Sequence, residues 1–157
     1  MMWMRTPNKV LFLDVDGVLN NESTNAVAPS GCTGVMDSKV KLLKEIIDET
    51  GAKVVLSSDW RLCDPRDVDY RYLVSKLKYK GGISIYGKTP DTSWSRRGEE
   101  ILMWLDNHPR VKSWVVLDDI KFNDFYNERF DGHLVITDYK VGLTASDVDK
   151  AIEVLNG

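Results

Sequence analysis

Val10-Leu11-Phe12-Leu13-Asp14-Val15-Asp16-Gly17-Val18-Leu19 is the stretch that decides how this chain is read. Four consecutive apolar residues run into two carboxylates one residue apart, and a glycine follows at once. An apolar run this short, bounded by a turn residue, marks a strand buried on both faces, as at the centre of a parallel sheet. Ligands of such sheets bind outside the carboxyl ends of the strands. Side chains alternate along a strand, which predicts Asp14 and Asp16 on the same side. Two carboxylates held that close repel each other unless a cation lies between them, and nothing basic stands beside them in the sequence. Mg²⁺ suits an all-oxygen site of one or two carboxylates, retained waters and a substrate phosphate. Gly17 then lets the chain turn in a conformation that a side chain would oppose.

Working outward, two further apolar runs end in residues that suit the same site. Residues 52–58 read as a buried strand ending in Ser57 and Ser58, and residues 111–117 as another delivered into Asp118-Asp119. Between the strands lie helical patterns. One starts at Asp37 or Ser38 as N-cap and ends near Gly51; a second opens at Asp64-Pro65 and stops at Gly81-Gly82. A third carries Ile101, Leu102, Trp104 and Leu105 up to Pro109, and the last follows the capping pair Thr144 and Asp147. Residues 83–86 and 134–137 have strand composition, and residues 20–34 read as a loop or small flap over the first strand end. Strands alternating with helices predict an α/β fold, a parallel sheet flanked by helices. Convergence of strand ends is how such a sheet builds a binding crevice.

Asp14-Val15-Asp16-Gly17-Val18-Leu19 resembles the first motif of the haloacid dehalogenase (HAD) superfamily, in which an Asp nucleophile is followed two residues on by an Asp acid/base. The rest of the chain resembles that family in the family's order. Ser57 matches the second motif, a hydroxyl that binds a phosphate oxygen, with Ser58 as the alternative. The third-motif cation falls on Arg97 in Ser95-Arg96-Arg97-Gly98-Glu99-Glu100-Ile101, with Arg96 second; Arg is a departure, because members often carry Lys. Asp118 or Asp119, in the fourth motif, would complete a metal site with Asp14 and the backbone carbonyl of Asp16, and Asp124 would supply an outer carboxylate. Leu56-Ser57-Ser58-Asp59-Trp60-Arg61, Arg97-Gly98-Glu99-Glu100-Ile101 and Gly142-Leu143-Thr144 resemble more narrowly a compact branch found in RNA-repair proteins. The resemblance implies one three-layer, Rossmann-like domain over residues 1–157, helices on both faces of a parallel sheet, with little room for a cap. It also implies a Mg²⁺-dependent phosphatase that forms an aspartyl-phosphate. An open site fits a substrate that brings its own cover, such as a nucleic-acid end or a phosphoprotein, and the expected partner is a phosphorylated substrate, a nucleotide or a nucleic-acid end.

Rival readings are weaker. Gly82-Ile83-Ser84-Ile85-Tyr86-Gly87-Lys88-Thr89 satisfies the written P-loop pattern, but Ile83, Ile85 and Tyr86 lie where a phosphate loop is a tight anion nest. Pro90 also biases Thr89 away from the helix such a loop must open. A two-component receiver places its phosphate-accepting Asp on a middle strand, unlike Asp-x-Asp on the first. A catalytically weak phosphate-binding or scaffold domain is the alternative of another class, and both carboxylates of the first motif speak against it. Trp60, Trp94 and Arg61 fall near the site, where they are candidates to stack a nucleobase or hold a second phosphate; core or rim packing is the simpler reading of the tryptophans. His108 and His133 lack partners at ligand spacing.

With 157 residues, 43% hydrophobic and 29% charged, the composition is that of an ordinary globular domain. A net charge of −3 argues against a general nucleic-acid coat. Cys32 and Cys63 read as free thiols. No apolar run reaches membrane-spanning length and residues 1–7 lack the layout of a secretory signal, so the expectation is a cytoplasmic protein without a membrane partner.

Overall fold

The computed structural model describes residues 7–64, 66–92 and 96–157. Pro65, Trp94 and the lead-in residues 1–6 lie outside the described residues. Five strands, β1 (Lys9–Leu13), β2 (Lys53–Leu56), β3 (Ile85–Lys88), β4 (Ser113–Asp118) and β5 (Leu134–Ile136), form one sheet in the order β3-β2-β1-β4-β5. Every pairing is parallel. The helices are α1 (Asp37–Thr50), α2 (Val68–Gly81), α3 (Arg97–Asp106) and α4 (Ala145–Asn156).

Alternation along the strands divides the core in two. Leu11, Leu13, Val54, Leu56, Val115 and Leu117 pack with Val40, Leu43 and Ile46 of α1, Leu73 and Leu77 of α2, and Ala151 and Leu155 of α4. Val10, Phe12, Val55 and Val116 face the other way, onto Ile101, Trp104 and Leu105 of α3 with Phe125 and Phe130. The expected α/β architecture with helices on both faces is therefore present. Strand order reverses between β1 and β4, which makes their carboxyl ends the switch point where a ligand crevice opens. Among the described residues, the segment between β1 and α1 holds no helix or sheet strand, only an isolated bridge between Val27 and Thr33.

Several boundaries differ from the sequence reading, each for a local reason. Met36 is the N-cap of α1; Asp37 lies inside the first turn and its carboxylate pairs with Lys76 and Lys80 of α2. Asp64 does not start α2, because its carboxylate is taken by the Arg66 backbone and guanidinium; Asp67 is the cap, accepting from the Asp69 N–H. Residues 59–62 form a 3₁₀ turn capped by Ser58. β3 starts two residues later than expected, because the Ile83 N–H folds back to the Leu77 carbonyl (3.0 Å) and its side chain covers the end of α2. Gly82 at φ +62°, with its N–H donating to the Lys78 carbonyl (2.9 Å), is the αL closure of a helix. The P-loop alternative ends here too: β3 runs through residues 85–88, so that segment is a strand.

Thr144 and Asp147 form the expected capping box, each side chain accepting from the other's backbone N–H. Thr144→Ala should lower unfolding free energy by about 1 kcal/mol, read as a lower urea midpoint at unchanged slope.

Candidate active site

Register carries four polar residues to one level. β1 pairs Leu13 with both Leu56 and Leu117, and β2 pairs Leu56 with Lys88, so the next residues are Asp14, Ser57, Asp118 and Thr89. The backbone bonds Asp14 N–H to Leu117 (3.0 Å), Ser57 N–H to Leu13 (2.9 Å) and Thr89 N–H to Leu56 (3.0 Å) extend the ladder to this row. Period-2 alternation places the row on the face that α3 covers. All four residues are buried.

Arg97, the first residue of α3, reaches over this row. Its Nη1 lies 2.7 Å from Asp118 Oδ2 and 3.2 Å from Asp14 Oδ1, its Nη2 lies 3.6 Å from Asp59, and its guanidinium stacks 4.7 Å above the Phe122 ring. Arg96 instead pairs with Glu99 on the surface. Asp124 holds the helix start, accepting from the Glu99 N–H at 2.9 Å. Gly98 permits that approach, since a Cβ there would stand 2.7 Å from Asp124 Cγ.

Asp14, Asp118 and Asp119 each offer one oxygen, and these atoms lie within 4.8 Å of one another. Burial, then the charge of Asp118, pushes the Asp14 pKa up to about 9, against the opposing pull of Arg97. Burial also raises Asp118, again opposed by Arg97. Three carboxylates facing one guanidinium are short of positive charge, and a hard, all-oxygen donor set of this kind fits Mg²⁺. Asp119 comes close because residue 17 has no side chain: at φ +81°, a Cβ there would collide with the Asp119 carboxylate.

Asp16 lines the same cleft as Asp14 without joining its acidic cluster. β1 ends at Leu13, so alternation no longer applies, and the Asp16 carboxylate stands apart from the three-acid cluster. It is exposed, and it accepts from Asn20 Nδ2 (3.0 Å) and Trp60 Nε1 (3.2 Å). Asn20 ties the turn together by accepting from the Gly17 N–H (2.8 Å) and donating to the Gly34 carbonyl (3.0 Å). Thr137 Oγ1 donates to the Gly17 carbonyl at 2.7 Å.

The two serines separate cleanly. Ser58 Oγ accepts from the Trp60 N–H (2.9 Å), whereas the buried Ser57 Oγ has no partner among the described residues. Arg61 is buried, with Nη2 2.7 Å from Glu100 Oε1 and further bonds to the carbonyls of Ser58 (3.0 Å) and Thr89 (3.3 Å). Glu100 Oε2 also accepts from the Thr92 N–H (2.8 Å). Sequence reasoning missed Glu100, although an acid three residues after Arg97 on the helix face that carries Ile101 and Trp104 was a readable signal. It also missed Thr89 and the polar use of Trp60. His108 and His133 stack on Trp104 and Trp114 and bond those residues' carbonyls, as structural histidines do. Both cysteines are free.

Asp14, Asp16, Arg61, Arg97 and Asp119 line one cleft of about 350 Å³, with Leu62, Ile120 and Phe122 at its apolar margin. No helix among the described residues is long and apolar enough to cross a membrane.

Among known proteins, the family model for the HAD domain in Swiss Army Knife RNA repair proteins matches residues 10–148. No curated protein and no solved structure matches the chain. The matched region begins in β1 and ends in α4, so it takes in the whole switch point and the strand ends that meet there. The chain therefore belongs to the family of HAD domains found in Swiss Army Knife RNA repair proteins.

Proposed function

We propose that this protein is a Mg²⁺-dependent phosphomonoesterase that works through an aspartyl-phosphate at Asp14, on nucleotides or nucleic-acid ends. The observation that carries the reading is the cluster of buried Asp14 and Asp118, both paired with Arg97, and half-buried Asp119, at the switch point of the sheet.

Asp14 is the nucleophile: its Oδ forms a bond to phosphorus while the bond from phosphorus to the ester oxygen breaks, dividing one hard displacement into two easier ones. Asp16 gives its proton to the departing oxygen and takes one from the water that next attacks phosphorus, which releases Asp14. Arg97 and the Ser57 hydroxyl hold the non-bridging oxygens, where charge gathers in transfer. The unpartnered Ser57 Oγ supports that role over Ser58, whose Oγ is already engaged. Asp14, Asp118 and Asp119, with the Asp16 carbonyl, would hold Mg²⁺, which when bound offsets carboxylate and phosphoryl charge at once. Arg61, at the cleft wall beside Ser57 and Ser58, is assigned to the substrate side through the carbonyls it orients. The simple segment between β1 and α1 leaves the cleft open, which suits a large substrate, and the RNA-repair setting of the family agrees.

Asp14→Asn should cut phosphate release from p-nitrophenyl phosphate to below about a thousandth, with far-UV circular dichroism unchanged. Ser57→Ala should slow it by about 10- to 100-fold. Wild-type protein that releases no phosphate with Mg²⁺ would defeat the reading. A 5′- or 3′-phosphorylated oligonucleotide should be turned over faster than a free sugar phosphate, and the reverse order would remove the nucleic-acid assignment.

The raised Asp14 pKa gives a linkage with a definite sign. Between 3.8 and about 9 the folded, ion-free protein binds a proton at Asp14 that the unfolded chain releases, so its stability falls as pH rises across that window. Mg²⁺ must displace that proton, so its affinity should climb toward pH 9. Titration calorimetry at pH 7 in two buffers of different ionisation enthalpy should show proton release on Mg²⁺ binding.

A further inference from the structure

An exposed carboxylate on a turn ordinarily samples several rotamers, yet both oxygens of Asp16 are held. Asn20 Nδ2 donates to Oδ1 at 3.0 Å, and the Trp60 indole N–H, from a residue 44 positions away, donates to Oδ2 at 3.2 Å. The indole is itself fixed. Ser58 Oγ accepts from the Trp60 backbone N–H at 2.9 Å, the Cys63 N–H donates to the Trp60 carbonyl at 3.2 Å, and the ring is buried in the core that faces α1 and α2. Simple packing of an aromatic ring does not require its one polar atom to meet an acid on another loop.

We propose that Trp60 is the positioning residue of Asp16, an inference that rests on the phosphoryl-transfer reading above. It links the turn after β2, next to the phosphate-binding Ser57, to the acid/base, so one short segment sets both the phosphoryl contact and the direction of the proton. The donor chemistry suits that task. An indole N–H and an amide NH₂ donate hydrogen bonds but neither give up nor accept a proton near neutral pH. Asp16 can therefore be held through both half-reactions without a competing titratable group. In the first, the proton on Asp16 passes to the ester oxygen as the pair of the broken bond from phosphorus to that oxygen arrives there. In the second, a water proton returns to Asp16 as the water oxygen bonds phosphorus and Asp14 departs. Small misplacements of a proton donor cost large factors in rate.

Trp60→Phe keeps the ring and deletes the donor. Two esters separate positioning from general structural damage through kcat/KM, which reports transfer to Asp14. p-Nitrophenolate leaves without a proton, whereas the alkoxide of β-glycerol phosphate needs one. The expected loss is at least tenfold for the glycerol ester and less than about threefold for the aryl ester. A second measurement does not depend on turnover: in the ¹⁵N-labelled protein, Asp16→Asn should shift the Trp60 indole N–H resonance and speed its exchange. Wild-type protein inert toward both esters overturns the phosphatase reading. Equal losses on the two esters, or an indole resonance unmoved by Asp16→Asn, overturn the role of Trp60.

Discussion

The structure depends on forcing like charges together. Asp14, Asp118 and Asp119 would separate if free to do so: at under 5 Å, each fully ionised pair repels by roughly 3 kcal/mol in a partly screened environment. They stay because none of them chooses its own position. Asp14 and Asp118 are the next rung of a parallel ladder whose preceding rungs, Leu13 with Leu117 and Phe12 with Val116, are buried on both faces. Burial of those side chains sets the register, and the register sets the carboxylates. The result is a concentration of negative charge at the switch point of the sheet.

Arg97 offsets part of that charge, and much of the surrounding polar structure serves to keep it over the row. Asp124 holds the first turn of α3 from outside, through a contact possible only at Gly98. Glu100, one turn later, reaches inward to Arg61, and Arg61 in turn binds carbonyls at the ends of β2 and β3. The helix that delivers the cation is thus tied to the strand ends on both sides of it. An ion pair this deep is costly to break by removing one partner, about 3–5 kcal/mol, because the other charge is left buried. Its value lies in fixing α3 relative to Ser57 and the acidic row.

The fold, and the meeting of most of the candidate residues at one place, were legible because they follow from short-range patterns. Buried strands ending in Asp or Ser, helices spaced between them, and an arginine at a helix start survive folding as they stand in the sequence. What was not legible depends on where a pattern stops. Alternation would put Asp16 beside Asp14, but β1 ends at Leu13, and the Asp16 carboxylate is held by the turn instead of joining the three-acid cluster. Asp64 has an attractive capping sequence, but Arg66 captures its side chain. Asp67 is then left to cap the helix. Ile83 reads as strand by composition and serves as the apolar cover of a helix end. Trp60 and Glu100 were hidden for a different reason: their partners are 44 and 39 residues away, and only the closed sheet brings them within bonding distance.

The two aspartates of the first motif show how little sequence separation is needed to give one residue type two environments. Asp14 closes the ladder, buried against its own kind, and burial with the charge of Asp118 keeps a proton on it well above the ordinary carboxylate range. Asp16 lies past the end of the strand, exposed, with an amide and an indole each donating to one oxygen. Gly17 makes the division possible: its positive φ turns the chain after Asp16, and its missing side chain admits Asp119 to the cluster that Asp16 has left. Ending the strand at Leu13, with a glycine at position 17, creates both environments within four positions of the chain.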